Sequence, residues 1–189
     1  MGLFTGILDA LRGRSAQTIE VPVLGLLNLE GEAGRACLDE DRATLAPLFS
    51  TVRVSDGPVP ACDVLFIYVH LTSSGEMTRV PAGTRSLVRD SGAKITVFAL
   101  DNPGSAYNAA GSAEHSPPTN LVMTISRNGR AFPAFWRGLF QDMRTGTPMM
   151  MAWTKLAPQM PGNPGGDVPA LFCAVQLGGL RFRGITQLG

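Results

Sequence analysis

Short apolar runs recur along the middle of the chain, separated by polar, glycine-rich or proline-rich stretches. The longest of them cover residues 21–28, 63–71 and 94–100. Uninterrupted runs of this kind are typical of strands that are covered on both faces, as in a parallel sheet. Alternating polar and apolar residues at 51–54 and a shorter apolar run at 121–125 predict two further strands.

Amphipathic segments lie between these strands. The clearest one ends at Gly146 and carries large apolar side chains at helical spacing: Phe132, Phe135, Trp136, Leu139, Phe140 and Met143. This stripe predicts a helix that packs on the sheet rather than a cofactor-binding box. Two shorter helices are predicted at residues 38–49, where Asp39 is a suitable N-cap, and at residues 84–90, closed by Gly92.

The C-terminal part of the chain predicts a run of strands. Residues 149–156 and 171–177 are apolar enough for two of them, and a glycine pair at 178–179 predicts a turn into a third at 180–183. Strands and helices alternate over most of the chain, which implies an α/β fold. We therefore expect a three-layer, mostly parallel sheet of the flavodoxin-like or Rossmann-like type, with an added C-terminal antiparallel hairpin.

The length of 189 residues fits one domain, at roughly 100–200 residues per domain. We assign residues 19–189 to a single α/β domain and residues 1–18 to an N-terminal amphipathic segment. Apolar side chains of this segment share one helical face: Leu3, Phe4, Ile7, Leu8 and Leu11. Because a helix this short is marginal alone in water, we expect residues 1–14 to dock on their own domain or on a second copy of the chain, with another protein or a membrane surface as the alternatives.

Composition and charge exclude several classes of function. Lys and Arg total 16 and Asp and Glu total 15, so the net charge of +1 argues against nucleic-acid binding. The three cysteines are widely spaced without a CxxC pair, so no metal site is predicted. Neither a GxGxxG fingerprint nor a Walker lysine is present, so no cofactor is expected. Unpaired thiols in a chain without a secretory signal or a long apolar run fit a cytoplasmic protein.

Candidate chemistry lies where the predicted strands end. In open parallel sheets, ligands bind beyond the carboxyl ends of the strands. His70, Asp101 and Ser126 occupy three such ends, and an imidazole held between a carboxylate and a hydroxyl can activate that hydroxyl. Ser126 lies in Ile-Ser-Arg-Asn-Gly rather than in Gly-x-Ser-x-Gly, which disfavours a nucleophile elbow. Further ligand-binding candidates at the same rim are Asn28, Glu30, Thr72, Asn102, Arg127 and Asn128.

The order of these segments resembles that of response-regulator receiver domains over about residues 20–145. Residues 23–29, followed by Glu30, look like the first strand and its acidic turn, and residues 63–71 look like the strand that carries the phosphoacceptor. In this alignment Tyr68 takes the place of the phosphorylated aspartate, and Ala99 that of the family's hydroxyl residue.

The departures from the receiver pattern decide what the resemblance implies. Arg127 is the nearest basic group where a lysine is expected, and the helix between the second and third strands is absent. The resemblance then implies a pseudo-receiver that takes no aspartyl phosphate. A similar sheet order occurs in caspase-like domains, where a histidine ends the strong strand, as His70 does here; Ser126 would then hold the nucleophile position.

Two functions follow as expectations. The first is a non-catalytic regulatory or protein-interaction module, because no catalytic motif accompanies the well-patterned core. The alternative is a hydrolase or transferase whose site lies at the strand ends around His70, Asp101 and Ser126.

Overall fold

The computed structural model describes residues 17–78, 84–106, 120–157, 172–176 and 179–183, without the side chains of residues 85 and 172–176. The predicted docking segment, residues 1–14, therefore lies outside the described residues. Eight strands are described: β1 (Thr18–Ile19), β2 (Val23–Asn28), β3 (Thr51–Ser55), β4 (Val64–Tyr68), β5 (Ile95–Phe98), β6 (Asn120–Thr124), β7 (Phe172–Gln176) and β8 (Arg181–Phe182).

Six of these strands form one sheet in the order β3-β2-β4-β5-β6-β7. The first five are parallel to one another, and β7 is antiparallel to β6. The structure thus confirms the predicted α/β fold with a mostly parallel sheet. The order of its parallel strands is that of flavodoxin-like domains, with the direction of winding reversed after β2.

The predicted C-terminal hairpin is not shown. Within the described residues, β8 pairs in parallel with β1 in a separate two-stranded sheet, in the register Thr18↔Arg181 and Ile19↔Phe182. Backbone bonds extend this pairing at both ends, from Arg181 N to Gln17 O (3.0 Å) and from Arg183 N to Ile19 O (2.8 Å). The C-terminal strand therefore returns to the start of the described chain.

Among the described residues, four helices cover the sheet: α1 (Glu32–Leu45, continued by a 3₁₀ turn at Ala46–Leu48), α2 (Thr84–Ser91), α3 (Ala131–Arg144) and α4 (Met149–Leu156). The structure confirms the two helices predicted before Gly92 and Gly146. None of the described helices is long and apolar enough to cross a membrane.

Helix α1 begins at Glu32, earlier than the predicted start at Asp39. Gly31 precedes it with a φ of 68°, a left-handed conformation that suits glycine and turns the chain from β2 into the helix. Before Leu38, the inward face of the helix carries the small Gly34 rather than a large apolar residue. Because this inward position is small, the hydrophobic pattern does not mark residues 32–37 as part of the helix.

The prediction of a strand at residues 149–156 is wrong, because this segment is helix α4. Pro148 precedes the helix, and Met, Ala, Leu and Lys within it are good helix formers. Met149 and Ala152 are buried at helical spacing, whereas Met151 remains 61% exposed. Lys155 of this helix pairs with Asp142 of α3 (2.8 Å).

The connection from β3 to β4 crosses β2 without a helix, as the sequence predicts. Residues 56–63 pass directly over Gly25, where an added Cβ atom would lie only 2.5 Å from Cys62 Sγ and 3.0 Å from Pro60 Cγ. Arg53 anchors the segment by donating to Ala61 O (2.7 Å). Gly25 is therefore required so that this segment can pack on the sheet, and burial there raises the pKa of the Cys62 thiol to about 11.

The described residues form two apolar cores on opposite faces of the sheet. The larger one contains Leu24, Phe66 and Val97 from the strands and is covered by α1, α3 and α4. Its aromatic side chains interlock, with Trp136 fully buried between Phe66 and Phe140. The smaller core lies under α2 and contains Leu27, Leu65, Ile67, Phe98, Met123, Leu87 and Val88.

Candidate functional site

The carboxyl ends of β2 and β4 meet at the point where the winding of the sheet reverses. Asn28 pairs with Tyr68 at the end of the ladder, and Leu29 N donates to Tyr68 O (3.0 Å) just beyond it. A crevice at this reversal point is where open α/β sheets bind ligands. The residues that follow these two strands, Glu30 and His70, are therefore placed at the site that the topology favours.

Glu30 and His70 contact each other across this point. Glu30 Oε2 accepts from the backbone N–H of His70 (3.1 Å), and Oε1 lies 3.5 Å from His70 Nδ1. The Glu30 side chain is 8% exposed and that of His70 is 45% exposed. A buried carboxylate thus positions an imidazole whose outer edge reaches solvent, an arrangement that can fix the orientation of a general base.

A second polar cluster borders this pair at the start of α1. Asn28 Oδ1 accepts from Glu30 N (3.2 Å), and its Nδ2 donates to Gly31 O and to Asp56 Oδ1 (both 3.0 Å). Arg35 also pairs with Asp56. The bonds from Arg35 and Asn28 hold the pKa of Asp56 below its usual value. The residues of this cluster, together with Leu29 and Glu32, line an open cavity of about 490 Å³.

Asn102 and Thr72 stabilise the loop that follows β4. The buried Asn102 side chain accepts from Leu71 N (2.8 Å) and donates to Leu100 O (2.6 Å), so it ties this loop to the end of β5. The hydroxyl of Thr72 contacts Ser74 Oγ (2.8 Å) and accepts from Glu76 N (3.1 Å) within a tight turn. Both candidates therefore bond to the protein itself.

Asp101 and Ser126 lie together at the ends of β5 and β6. Asp101 Oδ1 accepts from the backbone N–H of Arg127, the residue after Ser126, at 2.7 Å. Ser126 is half-buried, and Asn128 is exposed at the turn that leads into α3, with a φ of 47°. Within the described residues, no hydrogen bond joins His70 to Asp101 or to Ser126. The carboxylate that contacts the imidazole is Glu30.

Arg127 lies beneath the rim in a buried network that the sequence did not predict. Its guanidinium donates to Asp41 through Nη2 (2.7 Å) and Nη1 (3.1 Å), and through Nη1 also to Ala99 O (2.7 Å). Tyr68 Oη donates to the same carboxylate (2.8 Å). The guanidinium also lies 4.1 Å from the centre of the Phe132 ring, a cation–π contact.

Burial and pairing have opposing effects on the pKa values of this network. Burial raises the pKa of Asp41, and the hydrogen bonds from Arg127 and Tyr68 oppose that rise. Burial and the adjacent carboxylate together raise the pKa of Tyr68 well above its usual value. Burial alone would lower the pKa of Arg127, but the bonds to Asp41 raise it, so the guanidinium stays charged.

Comparison with known proteins identifies no family for this chain. No family model matches the chain, and neither curated proteins nor solved structures give a match. Among the described residues, no group of three or more His, Cys, Asp or Glu side chains is arranged to hold a metal ion.

Proposed function

We propose that the chain is a non-catalytic regulatory or protein-interaction module built on a flavodoxin-like sheet. The observation that supports this proposal is that polar side chains at the strand ends bond to the protein itself. Glu30 and Asn102 each accept a backbone N–H of the loop after β4, and Asp101 accepts the N–H of Arg127. These side chains stabilise the rim, and a stable rim is what a binding module needs.

The receiver resemblance supports the same proposal. At the position that corresponds to the phosphoacceptor, Tyr68 is fully buried and its hydroxyl donates to Asp41. Arg127, the nearest basic group, is held by Asp41 and by Ala99 O. Neither side chain is available to an incoming phosphoryl group, so regulation by aspartyl phosphate is not part of the proposed function.

A second candidate function is hydrolysis or group transfer with His70 as general base. The contact between Glu30 and His70 at the reversal point favours it, because a carboxylate that orients an imidazole is a common catalytic arrangement. In this form of the hypothesis Glu30 takes the orienting role that the sequence suggested for Asp101. The base would act on a water molecule or on a hydroxyl of the substrate.

Turnover assays with the full chain distinguish the two candidates. The substrates are a panel of carboxylic esters, thioesters, peptides and phosphoesters, and the variants are His70→Ala, Glu30→Gln and the control Asp101→Asn. A non-catalytic module gives the same background rate in all four proteins. A wild-type turnover rate at least tenfold above that of His70→Ala would overturn the proposal. If the turnover rate then falls more in Glu30→Gln than in Asp101→Asn, Glu30 rather than Asp101 orients the imidazole. Thermal unfolding of each variant verifies that it is folded.

A further inference from the structure

A stripe of arginines runs along the outer side of α3. Arg130 precedes the helix, and Arg137 and Arg144 follow at seven-residue spacing, so all three lie on one helical face. Arg130 and Arg137 are exposed, and Arg144 is half-buried. At 1.5 Å per residue the stripe extends for about 21 Å. Within the described part of the chain, none of the three forms an ion pair.

A shallow groove lies between this stripe and α1. Its volume is about 530 Å³, and on the α3 side it is lined by Arg130, Ala134, Arg137 and Gln141. Glu40 and Ala43 line the α1 side. Small side chains on both sides allow the backbone of another molecule to approach closely, and the arginines supply positive charge along one edge.

The charges around the groove favour a protein partner over a nucleic acid or a membrane. Glu40 lies on the opposite edge from the arginines, and it would repel a uniformly charged polyanion. Its carboxylate lies 3.6 Å from the Arg127 guanidinium, which is also held by Asp41, so two carboxylates share one cation. A partner helix with acidic residues on one face can pair with the arginines on the α3 edge of the groove. Apolar or basic residues beside that face can lie against Glu40 on the α1 edge. The net charge of +1 for the whole chain also disfavours a general affinity for polyanions.

We propose that the groove between α1 and α3 binds an acidic amphipathic helix of a partner protein. Acidic residues at seven-residue spacing in that helix face Arg130 and Arg137, and small or aliphatic residues between them fill the space beside Ala43 and Ala134. Arg144 lies beyond the groove lining, one heptad further along the same face of α3. Binding of an amphipathic helix in a groove is a common mode of peptide recognition. This inference rests on the proposed function as an interaction module, and it names the surface and the chemistry of the partner.

Selection from a displayed library of helical peptides tests the inference without assuming one ligand. Randomised peptides of about six helical turns are enriched on the full wild-type chain and then measured by fluorescence anisotropy on Arg130→Glu/Arg137→Glu. The expected peptides carry Asp or Glu at seven-residue spacing. Their affinity falls at least tenfold in this variant and falls with added salt, because exposed charges are screened. The matched control, Arg89→Glu/Arg183→Glu, changes the net charge equally at exposed positions outside the groove and should retain the affinity.

Several outcomes would overturn the inference. They are failure to enrich any peptide, enrichment of neutral or basic peptides, and an equal loss of affinity in the control variant. A single-stranded RNA oligonucleotide or phosphatidylserine vesicles that bind more tightly than the selected peptides, and lose binding in Arg130→Glu/Arg137→Glu, would assign the groove to a polyanion instead. Self-association that this variant abolishes would assign it to a second copy of the chain. None of these results changes the outcome of the turnover assay. The proposed ligand of the groove can therefore be wrong while the proposed non-catalytic function stands, and the two failures are distinguishable.

Discussion

At the scale of single residues, the most consequential group is the buried set of Asp41, Arg127 and Tyr68. The Asp41 carboxylate is completely buried and accepts from both partners, while Arg127 also donates to the carbonyl of Ala99, the residue after β5. A buried ion pair of this kind adds little net stability compared with apolar residues, but the loss of one partner leaves an uncompensated charge. The network therefore ties α1 to the ends of β4 and β6 in one arrangement.

Substitutions in this buried network should produce a specific pattern of stability changes. Asp41→Leu should lower the free energy of unfolding by about 3–5 kcal/mol, because Arg127 stays charged without its partner. Asp41→Leu/Arg127→Met should be more stable than Asp41→Leu alone, and Tyr68→Phe should cost only about 1 kcal/mol, the contribution of one hydrogen bond. Urea unfolding of the four proteins measures these differences. A double variant that is less stable than Asp41→Leu would contradict the pairing described here.

The burial of Arg127 and Asp41 could not be predicted from the sequence. Arg127 was a candidate ligand-binding residue because it follows a strand, but a strand end does not reveal whether the side chain points to solvent or beneath the rim. Asp41 was not a candidate, because an acidic residue within a helical segment is usually solvated. Its only signal is its spacing: it lies three positions after Leu38 and four before Leu45, both of which face the sheet. A charge at an inward position indicates a buried partner.

At the scale of elements, close packing against the sheet explains the missing helix between β3 and β4. The connecting residues 56–63 lie so near β2 that only a residue without a side chain fits beneath them. The hydrophobic pattern identified β2, β4, β5 and β6 because almost all of their residues are buried. The residues of β3 are exposed or half-buried, and the alternation of polar and apolar residues identified that strand. The hydrophobic pattern misassigned 149–156, because a short apolar run fits a buried strand and a buried helix equally well.

Substitution of Gly25 tests this packing directly. Gly25→Ala should lower the free energy of unfolding by about 1–3 kcal/mol, because the new methyl group overlaps with Cys62 Sγ. Cys62→Ala removes that sulfur, so its cost should be smaller in the Gly25→Ala background than in the wild type. Denaturant unfolding of the four proteins in a double-mutant cycle gives the coupling energy. Costs that add to within about 0.5 kcal/mol, as for distant sites, would show that the two residues do not touch.

At the scale of the whole molecule, the sequence predicted the class of fold but not the pairing of distant parts. Alternating strands and helices imply a mostly parallel sheet, whatever the exact order. The contact between Glu30 and His70 joins residues that are 40 positions apart, and only the strand order β2-β4 brings them together. Both residues were candidates, but the pairing of Glu30 rather than Asp101 with the imidazole required the tertiary structure. The pairing of β8 with β1 likewise has no local signal.

That pairing makes the end of the described chain part of the main core. Phe182 of β8 is 1% exposed; its ring stacks on Phe140 of α3 (centroids 5.8 Å apart, interplanar angle 22°) and meets Phe49 edge-on (6.1 Å). Phe182→Ala should therefore lower the global free energy of unfolding by about 3–5 kcal/mol, the usual cost of truncating a buried aromatic residue. Met151→Ala, at a side chain that is 61% exposed, should change it by less than about 0.5 kcal/mol. Urea unfolding followed by both tryptophan fluorescence and circular dichroism measures both effects. If β8 belongs to the cooperative unit, the two probes give one coincident transition, and in Phe182→Ala this transition moves to a lower urea concentration. A transition that stays at the wild-type urea concentration in Phe182→Ala would mean that β8 detaches independently of the sheet.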